Sequence, residues 1–176
     1  IASRGFSYIF NLTGCGCVTF QDVDIVRHIT NAFDLIQVSG ANDVLFERCR
    51  IGNDWTTPGA AGFAYMRILY PNNIVVRNCM FFSGVPGDMD YGIVASNFGD
   101  DTNSLYLYNN NVGDYEVTGV YVTGAAVPGP LLVVQNNVVV NHPGLAAEPV
   151  AFTSDVNVNM TVVATHNAIF AAAGFG

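Results

Sequence analysis

Six stretches of the chain repeat one alternation of apolar and polar positions: CVTFQDVDI from Cys17, DVLFERCRI from Asp43, NIVVRNCMF from Asn73, SLYLYNNNV from Ser104, LLVVQNNVV from Leu131 and TVVATHNAI from Thr161. Superposed, they bring Val23, Cys49, Cys79, Asn110, Asn137 and Asn167 to one position, at intervals of 26, 30, 31, 27 and 30 residues. Five residues earlier stand Val18, Val44, Ile74, Leu105, Leu132 and Val162; three earlier stand Phe20, Phe46, Val76, Leu107, Val134 and Ala164. Two residues later stand Ile25, Ile51, Phe81, Val112, Val139 and Ile169. All of these flanking positions are apolar, and the period of two predicts short strands with one face in a core.

A second strand is predicted in each period, at IQVSG from Ile36, GFAYM from Gly62, GIVAS from Gly92, GVYVT from Gly119 and PVAFT from Pro149, with GFSYIF from Gly5 as its first copy. Gly, Pro, Asn and Asp separate the strands, and no helical stripe of useful length interrupts them. Helical repeats of similar period are thereby excluded, and leucine-rich repeats lack their Leu and Asn spacing here. The runs YLYNNNV and VVQNNVV resemble those of the right-handed parallel β-helix, the pectate-lyase-like architecture. The resemblance spans nearly the whole chain and implies an all-β solenoid of about six coils, one domain over residues 1–176, either a whole protein or a piece of a longer one. One coil cannot bury its apolar face alone; stacked copies share a continuous core.

Stacking places Asn110, Asn137 and Asn167 in one line, where their amides can bond to the turn backbone and to one another. Cys49 and Cys79 continue that line, either as a buried thiol stack or as a coil-to-coil disulfide. Spacing leaves the disulfide state of Cys15, Cys17, Cys49 and Cys79 open. Alternation turns Thr19, Leu45, Val75, Tyr106, Val133 and Val163 outward on the first strand, and Ala64, Val94, Tyr121 and Ala151 on the second. The first row is mostly apolar. Its cover is a folded-back loop, another chain or domain packed alongside, or a carbohydrate.

Composition sharpens this. Apolar residues make up 51% of the chain and charged residues only 11%, about half of what soluble domains carry, so intrinsic disorder is excluded and much neutral surface needs a partner. All six basic residues are arginine, and the net charge of −8 argues against a nucleic-acid partner. No apolar run approaches the ~20 residues of a membrane span. No leader is legible at the start and no cap at either end, so the expectation is a removed leader or a piece of something longer, with cleaved flanks or rods stacking end to end. The sequons at Asn11 and Asn159 favour an extracellular or cell- or virion-surface location.

Candidate chemistry lies in the loops before the second strand. Asp88, Asp90, Asp114 and Glu116 are candidate acid–base residues for a glycosidic bond, and Asp54, Asp88 and Asp90 are candidate calcium ligands. Trp55, Tyr91 and Tyr115 could stack on sugars. Against these stands the use of Asp to close turns. The pair Asp100–Asp101 matches the Gly-Asp-Asp of pectin hydrolases in letters only, since it precedes the wrong strand. The Gly-His-Gly and Arg-x-Lys motifs of those enzymes are absent. The absence of lysine also counts against some lyases of this fold, which use Lys or Arg as the proton-abstracting base, although Arg48, Arg50, Arg67 and Arg77 remain. Arg77 is placed to pair with Glu47, and His28, His142 and His166 fall in different repeats. The expected function is a non-catalytic extracellular structural module that self-associates or packs under a covering chain, with no cofactor unless calcium. The alternative is a polysaccharide-acting enzyme or glycan-binding module.

Overall fold

The computed structural model describes residues 8–27, 34–53, 63–84, 89–99, 101–125, 129–140, 150–155 and 160–170. Among them there is no helix; every element is a strand, and the strands form three parallel sheets of six strands each. Sheet A holds β1 (Phe10–Thr13), β4 (Ile36–Ser39), β7 (Ala64–Leu69), β10 (Met89–Phe98), β13 (Tyr115–Ala125) and β16 (Val150–Asp155). Sheet B holds β2 (Gly16–Gln21), β5 (Asn42–Glu47), β8 (Asn72–Arg77), β11 (Ser104–Tyr108), β14 (Leu131–Gln135) and β17 (Thr161–Thr165). Sheet C holds β3 (Asp24–Arg27), β6 (Arg50–Asn53), β9 (Met80–Ser83), β12 (Asn111–Gly113), β15 (Val138–Val140) and β18 (Ala168–Phe170). Each strand pairs with the one three elements away in the chain. This is a parallel β-solenoid, in which every coil visits A, B and C in turn.

The repeat registers as its letters do. Val18, Val44, Ile74, Leu105, Leu132 and Val162 are in line across sheet B, and Phe20, Phe46, Val76, Leu107, Val134 and Ala164 form the next inward line. Across sheet C the inward line is Ile25, Ile51, Phe81, Val112, Val139 and Ile169. From the second coil to the fifth these side chains are at most 5% exposed, a single core running up the axis. Adjacent strands lie about 4.8 Å apart, so each sheet spans roughly 25 Å along that axis. Phe20 stacks on Phe46, centroids 4.9 Å apart and planes within 6°, because identical positions on successive coils face each other directly.

Between sheets B and C the chain turns through one residue in the left-handed region: Asp22, Arg48, Asn78, Asn109, Asn136 and His166, with φ between 52° and 56°. Only Gly, Asn and Asp adopt it readily; other residues pay about 1–2 kcal/mol. The turn survives at Arg48 because its backbone N–H donates to Arg77 O (3.1 Å) and its guanidinium grips Asp22 (2.7 and 2.8 Å). Arg48 holds the Asp22 carboxyl below the usual range, although both groups are exposed.

The next residue inward builds the ladder. Asn137 Oδ1 accepts from the Asn110 backbone N–H (2.9 Å) and from Asn110 Nδ2 (3.0 Å), while Asn137 Nδ2 donates to Leu107 O (3.0 Å). Asn167 repeats this toward Asn137 and Val134 O, and Asn110 repeats it toward the Cys79 N–H and Val76 O. Each side-chain amide thus satisfies backbone groups of the preceding coil at the corner where the sheet ladder breaks. In the coils where cysteine replaces asparagine, Cys49 Sγ donates to Phe20 O at 3.5 Å, the carbonyl an amide nitrogen would reach. Cys15, Cys17, Cys49 and Cys79 are all free thiols.

On sheet A the register differs from the expected one. β1 begins at Phe10 and pairs with Ile36, and Ile36 pairs with Met66, four residues beyond Gly62. The outward row is therefore Asn11, Gln37, Arg67, Val94 and Tyr121, and the backbone of Thr153 pairs with Tyr121. Ala64 pairs with Tyr91 and is fully buried, and Thr153, not Ala151, aligns with Tyr121. The glycines that opened each letter match are not equivalent in space; the inward Met66 and Ile68 set the register.

Candidate functional site

Sheet B carries the most regular outer face. Thr19, Leu45, Val75, Tyr106, Val133 and Val163 stand in one register line across it. Thr19 and Val163 are exposed, Leu45, Val75 and Tyr106 are half-buried between their sheet neighbours, and Val133 is buried. Two residues on, a polar line runs Gln21, Glu47, Arg77, Tyr108, Gln135 and Thr165. Arg77 meets Glu47 at 3.0 Å, as the sequence suggested, and Glu47 also meets Arg48 at 3.1 Å. The charges on this face cancel locally. Tyr106 and Tyr108 stack with centroids 6.0 Å apart, and partial burial beside the Tyr106 ring raises the Tyr108 hydroxyl above its ordinary value.

The outer face of sheet A differs. Arg67 binds the Asp34 carboxylate at 2.6 and 3.1 Å, and the same carboxylate accepts from the Ala64 N–H at 2.8 Å. Asp34 is only 7% exposed at its side chain, so the pair is largely desolvated. It was not singled out from the sequence: Asp34 lies between repeats and shares no column with other acids. Beside it Tyr91 and Tyr121 pack with centroids 5.6 Å apart.

The acidic loops are only partly described. Asp54, Trp55 and Asp88 lie outside the described residues, as do Asp100, His28 and His142, and the Glu116 side chain is not described. Asp90 is 8% exposed within β10, and the register shift between Met89 and Tyr91 sets it opposite the backbone of Glu116 and Val117. Asp114 takes the left-handed conformation (φ 57°) between β12 and β13, and its carbonyl accepts from Tyr65 Oη at 3.0 Å, so it closes a turn. Among the described residues no group of three His, Cys, Asp or Glu side chains is arranged to hold a metal ion. His166 occupies the left-handed turn position, exposed.

Tyr115 does not serve as a sugar platform. It is 1% exposed, and its ring fills the core at the place where Gly119 leaves room. Burial pushes its hydroxyl from 10.0 up to about 12. A raised acid favours the folded state fully below its unfolded value. That contribution is therefore complete below pH 10 and is lost as pH rises toward 12, an amount of about 2–3 kcal/mol for two units. Tyr115→Phe is expected to unfold at the same urea concentration as the parent at pH 8, and at a clearly higher one at pH 11.5. An identical fall in both chains would remove Tyr115 as the source.

None of the described helices could cross a membrane, there being none, which says nothing of strands. Compared with protein-family models, curated proteins and solved structures, the chain matches none.

Proposed function

We propose that the protein is a non-catalytic structural module of the cell exterior or of a virion surface, and that copies associate side by side through the outer face of sheet B. The observation that carries this is the register line Leu45, Val75, Tyr106, Val133 and Val163. A solvated parallel sheet would present Thr, Lys or Ser there. Apolar and aromatic side chains are enriched in the buried centres of interfaces, where charge is depleted. The chain's net charge of −8 would oppose self-association, but on this face Glu47 is neutralised by Arg77. Arg48, Arg50, Arg67 and Arg77 are each held by a carboxylate, which supports a partner other than a polyanion.

The pectate-lyase-like likeness enters this reading as a likeness of architecture, since fold alone does not carry chemistry. A glycan-acting reading rests on Asp90, which the register shift sets opposite the backbone of Glu116 and Val117. The two readings separate by substitution. Leu45→Lys with Val75→Lys is expected to turn an oligomer into a monomer, raising the dissociation constant at least 100-fold. Circular dichroism should be unchanged, because both side chains face outward. Sedimentation velocity reads the result, and equal sedimentation of parent and variant would sink the proposal.

A further inference from the structure

Two thiols occupy neighbouring steps of the ladder. The backbone bonds from Arg48 N to Arg77 O (3.1 Å) and from Met80 N to Cys49 O (2.9 Å) bracket them, so Cys49 and Cys79 are in register on adjacent coils. Adjacent strands lie about 4.8 Å apart, inside the roughly 4.4–6.8 Å between the Cα atoms of disulfide-bonded cysteines. Both side chains turn into the same corner, 1% and 2% exposed, where Cys49 Sγ lies 3.5 Å from Phe20 O and Cys79 Sγ lies 3.3 Å from Arg77 O. We propose that Cys49 and Cys79 form an oxidative cross-linking site, at which a peroxide oxidant joins them into a disulfide that staples one coil to the next.

The corner is prepared for this chemistry. The neighbouring Cys79 side chain lowers the Cys49 thiol below its ordinary range, against the burial that would raise it. The Cys49 side chain beside it, and then burial, raise the Cys79 thiol above the ordinary range. Cys49 is therefore the sulfur that attacks and Cys79 the one that resolves. The Cys49 thiolate displaces hydroxide from hydrogen peroxide, giving a sulfenic acid. The Cys79 sulfur then attacks that sulfur, its proton leaving with the hydroxyl as water. In sum, two thiols and one hydrogen peroxide give one disulfide and two waters. A small oxidant suits the place: both sulfurs are buried, yet Cys49 sits between exposed Arg48 and Arg50.

The cross-link would close a 30-residue loop in the unfolded chain (from 49 to 79), and so restrict the unfolded state more than the folded one. The test uses the full chain with Cys15→Ser and Cys17→Ser, so that only the ladder pair remains. After hydrogen peroxide, intact mass is expected to show the loss of two hydrogens. A tryptic digest should link Cys49–Arg50 to the fragment beginning at Asn78. The melting temperature should rise by roughly 5–10 °C and fall back with dithiothreitol. Oxygen added to one sulfur without a linked peptide would overturn the proposal, as would thiols that stay unreacted under peroxide that oxidises glutathione. A linked peptide without a higher melting temperature would overturn the stapling role.

Discussion

Gly92→Ala is expected to destabilise the protein by about 3 kcal/mol, the upper end for overpacking, and to lower its melting temperature by roughly 6–12 °C. A Cβ at Gly92 would overlap the carbonyl oxygen of Gly119 on the next coil and Cγ1 of Val112 on sheet C. Neither obstacle can yield cheaply. The Gly119 carbonyl is fixed in β13, one residue from the Thr118 and Val120 pairings, and Val112 is a core residue 1% exposed. Gly119 repeats the arrangement one coil on, where its Cβ would overlap Val139 and approach the Tyr115 ring at 2.9 Å. The useful control is Gly16→Ala, whose Cβ would meet only Asn42 O at 3.6 Å and should leave stability within about 1 kcal/mol. A Gly92→Ala protein that melts with the parent would mean that sheets A and C do not approach here as described.

The ladder supplies the second large effect. Asn137→Ala removes the acceptor for the buried Asn110 N–H and the donor to Leu107 O, and breaks the contacts with Asn110 and Asn167. Each buried polar group left unpaired costs about 1–3 kcal/mol, and two are stranded on the core side of the corner, so about 3 kcal/mol is expected. The residue beside it gives the contrast. Asn136 is exposed and in the left-handed conformation (φ 55°), which glycine adopts without strain, so Asn136→Gly should cost a few tenths of a kcal/mol. Urea unfolding of the two variants separates them. Equal midpoints would show that the amide column is ornament rather than structure.

Much of this architecture was legible in the residues, because a solenoid writes the same constraint once per coil. An inward position must be apolar every time, so Val18 through Val162 and Phe20 through Ala164 stood out as columns. The amide column at Asn110, Asn137 and Asn167 announced itself for the same reason. The outward row of sheet B was read from the same alternation. Sheet A was harder: its strands were aligned by their glycines, whereas Met66, Ile93 and Val120 decide the register and a shift between Met89 and Tyr91 displaces the letters. Tyr115 looked like a surface aromatic because loops usually expose them; only the space left by Gly119 shows that its ring turns inward. Asp34 and Arg67 met unannounced, since an ion pair between a loop end and a strand leaves no periodic trace.

The proposed interface along the apolar line of sheet B is tested most directly by the mass of the protein in solution. Light scattering over a wide range of concentration is predicted to give an integer multiple of 18.8 kDa that dissociates only on dilution. A mass of 18.8 kDa throughout, up to the solubility limit, would contradict it.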